Sequence, residues 1–407
     1  MSIKNISKTI FKFIGGNAFA QVIVIACTPL LIRIYSTTDF GVYSSVLSII
    51  LIIGVVACGR YDQLMYSFKD KERWGACFNN GYNLSIYVSL ALLLITVIVY
   101  NRFDIDCSYF VIAPGVFTFS IIQLYISYLS LNLKYREIII GNLIRAISSV
   151  FFQFLLLRYE ALGLTLGFLF SQFLVVLYFY RKTDGVNLRF CFNIIPLIGR
   201  NVCLSSGQSL ANSFSSQLPV LVIPGLYGFN IMGLYGLAIR LTQLPITFFT
   251  NAVRPYILGE FNKKINDCHS VYKILWLSSV FLLFIGFLGI FFIHLFAESF
   301  FAIYAGDEWK DAGNISSILS WWLLIAFANV TATSYLTTIA KFKALFIYDI
   351  TLLVFRLFIV FYVTYAHLSF LSFLYLYSFL GMLFNLFIII YAIVCGYRNE
   401  KISNCNC

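Results

Sequence analysis

Charge is scarce in this chain. Asp, Glu, Lys and Arg make up 11% of its 407 residues, where a soluble globular protein carries about 25%. Histidine is nearly missing, and His269, His294 and His367 stand far apart. A histidine metal centre or a catalytic triad therefore has little to draw on, and neither an H-E-x-x-H string nor a nucleophile elbow is present. There is no Gly-x-x-x-x-Gly-Lys string, which excludes a P-loop nucleotide site. No stretch between apolar runs is long enough to form a soluble domain.

Apolar residues fill the space instead. Hydrophobic residues reach 60%, and the mean hydropathy is +0.88. The bilayer is the main solvent of such a chain. The 43 Phe and 27 Tyr suit lipid-facing and interfacial positions. Twelve apolar segments can be drawn, at 13–34, 40–60, 76–100, 109–133, 138–157, 161–180, 201–224, 233–253, 271–296, 313–336, 344–364 and 371–393. Each suits a helix across a core of about 30 Å, and the strict alternation of a barrel strand is absent. The expected fold is an all-α polytopic membrane protein of about 12 transmembrane helices.

The formal charge of +11 does not point to nucleic acid, because the basic residues sit between spans. With the N-terminus inside, the outer connections hold only Arg33, Arg102, Arg158 and Lys310. Arg145, Arg240 and Arg356 lie within spans, and every other Lys and Arg falls on the inner side. That asymmetry predicts an even span count and cytoplasmic ends. Lys4, Lys8 and Lys12 share one helix face, suited to an anionic membrane surface. The connection over 297–312 reads as an outer interfacial turn with aromatic anchors, and 181–200 and 254–270 as the longest inner connections.

Of ten cysteines, only Cys107 falls clearly in an outer loop, so no disulfide framework is expected. Cys405 and Cys407 read as a plain tail rather than a metal site. Asp104-Ile105-Asp106 has the form of a metal-bound sugar-nucleotide motif, but in so short a loop it reads as two solvated acids.

Tyr35, Gly41 and Tyr43 recur 192 residues later as Tyr227, Gly233 and Tyr235. Each trio marks the turn from the first to the second span of a six-span half. Six is even, so the halves share one orientation, with a cavity expected between them. The boundary is placed at 190/191, giving a six-helix N-terminal lobe over 1–190 and a second lobe with a cytoplasmic tail over 191–407.

An ionisable group at membrane depth usually faces a cavity or a partner. Arg356 lies about 18 Å along its helix from the inner end, too deep to snorkel easily. Arg145 and Arg240 are about 10–12 Å deep. Each of the three either lines a lumen or holds a structural pair. Asp349 precedes Arg356 by seven residues on the same face, about 10 Å away. Asp62 follows Arg60 at the inner end of the second span. For both acids an interfacial or salt-bridge role is weighed against ion coupling. The amides Asn17, Gln21, Gln208, Asn212 and Gln217 fall on the first and seventh segments, where they either bind hydroxyls in a cavity or join helices. Pro29, Pro219, Pro224 and Pro245 are expected to interrupt helical bonding in the first, seventh and eighth segments.

The string Pro29-Leu-Leu-Ile-Arg-Ile-Tyr-Ser-Thr-Thr-Asp-Phe-Gly-Val-Tyr43, followed by Gly59-Arg60-Tyr61-Asp62, resembles the start of Wzx-type polysaccharide flippases. Family members commonly carry Arg-Tyr-Glu there, so Asp62 is a shorter carboxylate than the pattern. The resemblance extends over the chain in length and span number. It implies the multidrug/oligosaccharidyl-lipid/polysaccharide exporter fold, with two pseudo-symmetric, MATE-like lobes. It also implies a flippase of the bacterial inner membrane, moving an undecaprenyl-diphosphate-linked oligosaccharide from the cytoplasmic to the periplasmic leaflet for O-antigen or capsule assembly. Alternating access through a cationic lumen is implied, with Arg145, Arg240, Arg356, Asn17, Gln21, Gln208 and Asn212 at the substrate and Arg60, Asp62 and Asp349 in gating or ion coupling. No cofactor is implied beyond a proton or sodium gradient. The implied partners are the lipid-linked oligosaccharide, the bilayer, a polysaccharide polymerase and a chain-length regulator, with no nucleic acid. Two alternatives stand beside this reading. A repeat-unit polymerase, an enzyme, would carry a large outer loop that is missing here. A drug or cation exporter of the same fold would favour lumen carboxylates over arginines.

Overall fold

The computed structural model describes residues 23–24, 26–68, 70–103, 106–183, 200–266, 271–339 and 341–405. Among them the chain is helical and contains no strand. After a helical stretch at 26–32 come α1 (Thr37–Ala57), the short α2 (Tyr61–Leu64), α3 (Lys71–Arg102), α4 (Ile112–Leu131), α5 (Tyr135–Leu155) and α6 (Glu160–Lys182). Then follow α7 (Arg200–Tyr227), α8 (Phe229–Asn266), α9 (Tyr272–Ala305), α10 (Lys310–Thr338), α11 (Phe342–Tyr365) and α12 (Phe370–Cys405). Among the described residues, nine helices are long and apolar enough to cross a membrane. They coincide with nine of the twelve expected segments. The seventh and eighth segments are the long helices α7 and α8, and the first is described only in part. The protein is a multi-pass, all-α membrane protein.

The chain divides into two compact units, Met1–Gly233 and Leu234–Cys407. In the first, α4 packs against α1, α3 and α6. In the second, α10 packs against α9 and α12. The pattern of burial recurs between them. The apolar stretches of α3 and α9 are each only 17% buried, while those of α4 and α10 are 67% and 78% buried. Small side chains explain the two central helices. Ala113, Gly115, Thr118 and Ser120 are buried on α4, and Ala312, Gly313, Ser316 and Ser320 on α10. In lipid, helices associate by close packing and hydrogen bonds rather than by the hydrophobic effect. Ser120 donates to Ser85 between α4 and α3 (2.9 Å), and Thr331 shares a 2.7 Å bond with Ser279 between α10 and α9.

The start of α1 is set by a capping box. The Asp39 amide donates to Ser36 Oγ (3.2 Å), and the Ser36 amide donates to Asp39 Oδ2 (3.0 Å). Tyr35 is buried beside this turn and donates to the Gln153 carbonyl at 2.7 Å. Burial, reinforced by Asp39, pushes its phenol up to about 12, so it remains a donor.

Two expectations about connections are corrected. The outer stretch 297–312 is not an open turn, because α9 runs on to Ala305 and α10 starts at Lys310. Only Gly306 (φ 104°) and a 3₁₀ turn at Asp307–Trp309 separate them. Trp309 is 2% exposed, so it packs inward instead of anchoring an interface. The inner connection 254–270 is likewise helical as far as Asn266. The helices run on through Pro219 and Pro224 in α7 and Pro245 in α8, each of which removes one helical hydrogen bond for want of an N–H. Hydropathy marks apolar length, whereas backbone hydrogen bonding decides where a helix stops. The Lys4–Lys8–Lys12 face, Asp104, the connection 184–199 and Cys407 lie outside the described residues.

Candidate functional site

The buried residues of α11 are Leu345, Asp349, Leu352, Arg356 and Val363. Steps of three, four and seven put them on one stripe. Phe355, Phe358 and Phe361 are exposed on the rest of the helix. Asp349 and Arg356 therefore point into the second unit, away from acyl chains.

Arg356 is 1% exposed. Its guanidinium carbon lies 4.5 Å from the ring centre of Trp322 on α10 and 4.1 Å from that of Tyr377 on α12. The two rings meet edge to face at 5.4 Å. Gly381 completes the cage, since a Cβ there would approach Arg356 Nη2 to 3.0 Å and Trp322 Cδ1 to 2.5 Å. A desolvated cation over an aromatic face gains about 2 kcal/mol, which offsets part of its burial cost. Next to the cage lies an amide cluster. Asn329 Nδ2 and the Tyr348 hydroxyl both donate to Asn385 Oδ1, at 2.8 and 3.5 Å, and Asn385 Nδ2 donates to the Gly381 carbonyl at 2.6 Å. The arrangement ties α10, α11 and α12 around a fixed positive charge and a buried carboxyl group.

The second cluster follows α1. Gly59 (φ 60°) and Arg60 (φ 57°) are both left-handed, and the chain restarts as α2. Such a conformation costs a non-glycine residue about 1–2 kcal/mol. It turns Arg60 and Asp62 inward, where they are 9% and 8% exposed. Arg60 Nε lies 3.9 Å from Asp62 Oδ1, and Arg60 Nη1 donates to the Val55 carbonyl at 3.5 Å. The Cys58 thiol donates to Asp62 Oδ1 at 3.6 Å. These long contacts make a loose junction beside a strained turn.

The other expected site residues among those described lie on other helices. Arg145 on α5, Arg240 on α8 and Gln208 on α7 are half-buried, and Asn212 on α7 is exposed. Asn17 and Gln21 lie outside the described residues. Gln217 accepts a 2.9 Å hydrogen bond from Ser48, so this amide joins α7 to α1. Sequence reasoning missed Trp322, Tyr377, Asn329 and Asn385. The available signal was Arg356 itself, a deep cation with no acid three or four residues away on its own helix.

Residues 30–314 match the family described as polysaccharide biosynthesis protein. No curated protein sequence matches the chain. Among solved structures, an inward-facing multidrug resistance MATE family transporter of the MOP superfamily is 13% identical (TM-score 0.68), covering 98% of this chain and 96% of that one. The MATE multidrug transporter DinF-BH, solved in a complex, is 13% identical (TM-score 0.67), covering 99% and 98%. A MOP superfamily transporter from Pyrococcus furiosus is 12% identical (TM-score 0.61), covering 98% and 96%. At such identities the likeness is one of fold, and it spans the chain.

Proposed function

From the premise that the chain belongs to the polysaccharide biosynthesis protein family, we propose that it is a Wzx-type flippase. It carries an undecaprenyl-diphosphate-linked oligosaccharide from the cytoplasmic to the periplasmic leaflet of the bacterial inner membrane, without covalent chemistry. The observation that carries this reading is the family match over residues 30–314 on an exporter fold. The physical problem is the cargo's head group. A diphosphate and many hydroxyls cannot cross bare hydrocarbon at tolerable cost. A polar path between lobes divided at 190/191 removes most of that cost, while the polyprenyl tail stays in lipid.

Arginine suits the diphosphate because its planar donors match phosphate oxygens. Arg145 and Arg240, half-buried, meet the anion first. Arg356 acts on it through its field from behind Trp322 and Tyr377. The membrane potential, negative inside, drives an anion outward by about 2.3 kcal/mol per charge per 100 mV. Counterflow of a proton or sodium ion past Asp62 or Asp349 is an additional drive. Gln208 and Asn212, with Asn17 and Gln21, bind sugar hydroxyls.

The test is a clean deletion with mass analysis of membrane lipids. The expected result is an accumulation of single lipid-linked repeat units on the inner leaflet and loss of surface polymer. Normal surface polymer would end the proposal. In the complemented strain, Arg356→Ala abolishes export with membrane levels retained. Arg356→Lys keeps part of it, because the charge stays and the planar stacking is lost.

A further inference from the structure

Gly41 and Gly233 pack reciprocally. A Cβ built on Gly41 would overlap the backbone carbonyl of Phe229, 2.9 Å from its carbon. One built on Gly233 would overlap the backbone carbonyl of Thr37, 2.8 Å from its carbon. Phe229 is the residue 192 positions after Thr37, as Gly233 is to Gly41. Each contact is therefore the other with its halves exchanged, which is the mark of a local two-fold axis between the starts of α1 and α8. Both contacts lie within the Met1–Gly233 unit, and both glycines are buried.

The obstacles are backbone atoms, which cannot rotate aside as a side chain does. Gly54, farther along α1, differs in this respect, since a Cβ there would meet the ring of Phe119. Glycine weakens a helix relative to alanine, so each site gives up helix stability and gains close approach. The adhesion gained is small. A Cα–H···O contact is weaker than an N–H···O bond, and neither glycine brings a side chain or charge that would have to be desolvated on closing. A contact of this kind can form and part with a modest energy gap, as a two-state element requires.

We infer that Gly41 and Gly233 are the outer gate of the transport path: a backbone clasp that closes the face away from the cytoplasm here and parts in the opposite state. The inference rests on the flippase reading and on the orientation set by the basic residues. Because the two contacts are related by one axis, they open together.

The experiment measures the gate directly. Spin labels carried on bioorthogonal unnatural residues at 38 and 230, both exposed in the wild type, leave the native cysteines and the Ser36–Asp39 cap in place. Pulsed electron resonance on the full-length protein in lipid nanodiscs then reads their separation. Gly41→Ala and Gly233→Ala each shift the distribution to longer distance by several ångströms, the double variant moves it no farther, and Gly54→Ala leaves it unchanged. A distribution that neither clasp variant moves, or that Gly54→Ala moves equally, overturns the gate. A cross-link covers the case in which the alanine variants fail to insert. Thr38→Cys and Asn230→Cys, in a background with the ten native cysteines replaced by Ser or Ala, are tied by a short bis-maleimide. The tie stops export of surface polymer, while the linker on either single-cysteine variant does not. Full export through tied protein overturns the gate and leaves the flippase reading standing, since that reading falls only if the deletion strain keeps its polymer.

Discussion

The turns at Tyr35–Thr37 and Tyr227–Phe229 occupy matching places in the two halves of the repeat, yet they are built by different chemistry. At the first, Ser36 sits at φ −70° and closes a capping box with Asp39. At the second, Gly228 sits at φ 89°. There the Gly228 amide donates to the Pro224 carbonyl at 3.2 Å, and the Gly228 carbonyl accepts from the Met232 amide at 3.2 Å. Ile231 stands where the first half has Asp39, so no reciprocal cap can form. Five residues beyond each turn both halves keep glycine, and both press that glycine against the other half's first helical carbonyl. The means of starting a helix has diverged, whereas the position that tolerates no side chain has not. Backbone proximity constrains sequence more tightly than capping, because several chemistries satisfy an orphan amide and only one residue lacks a Cβ.

The strongest way to break this contrast is at Gly228. Nothing lies within 4 Å of a Cβ built there, so any penalty comes from the positive φ alone. Gly228→Val is expected to destabilise by about 2–3 kcal/mol, read as a fall in the unfolding midpoint of purified protein in detergent. A loss under half of that would mean the turn relaxes to a negative φ and the two turns differ less than they look. A transplant sharpens the point. Gly228→Ser with Ile231→Asp supplies both capping residues, but φ 89° is not the extended backbone of an N-cap. The double variant is expected to be no more stable than Gly228→Ala in the same assay. Recovery to wild-type stability would show that the second half still accepts the first half's turn.

These differences show what a sequence alone discloses. The spans are legible because lipid demands about 20 apolar residues wherever a helix crosses, and α3, α5, α11 and others lie where the hydropathy puts them. The inward direction of Arg356 follows from depth. Its cage does not, because Trp322 and Tyr377 lie 34 and 21 residues away on other helices, in a chain where aromatics are everywhere. The left-handed Arg60 was hidden for a similar reason: Gly59 signals a turn, but nothing local says that the arginine after it shares the unusual φ. Repeat positions were legible in Gly41 and Gly233 as a match of letters. Only coordinates reveal that each glycine packs on the other's helix.

Between the large and the small effects lies the capping box itself. Ser36→Ala removes the side-chain acceptor for the Asp39 amide and is expected to lower stability by about 1 kcal/mol, seen as a smaller fall in the same unfolding midpoint. Asp39→Ala removes the reciprocal acceptor for the Ser36 amide, and it falls below Ser36→Ala because that exposed amide can turn to water instead.

The smallest expected effect is the most direct comparison of the two halves. Ser36→Gly gives the first turn the residue that the second turn uses. Glycine at an N-cap is worse than serine by only a few tenths of a kcal/mol, since its smallness lets water reach the orphan amides that serine would have capped. The unfolding midpoint should therefore lie close to wild type and clearly above that of Ser36→Ala. If Ser36→Gly instead falls as far as Ser36→Ala, the Ser36 hydroxyl contributes more than a replaceable cap. Its short bonds to Thr38 (2.8 Å) and Asp39 (2.6 Å) would then be what orders the start of α1 for Gly233 to pack against, and the first half would depend on side-chain chemistry that the second has given up.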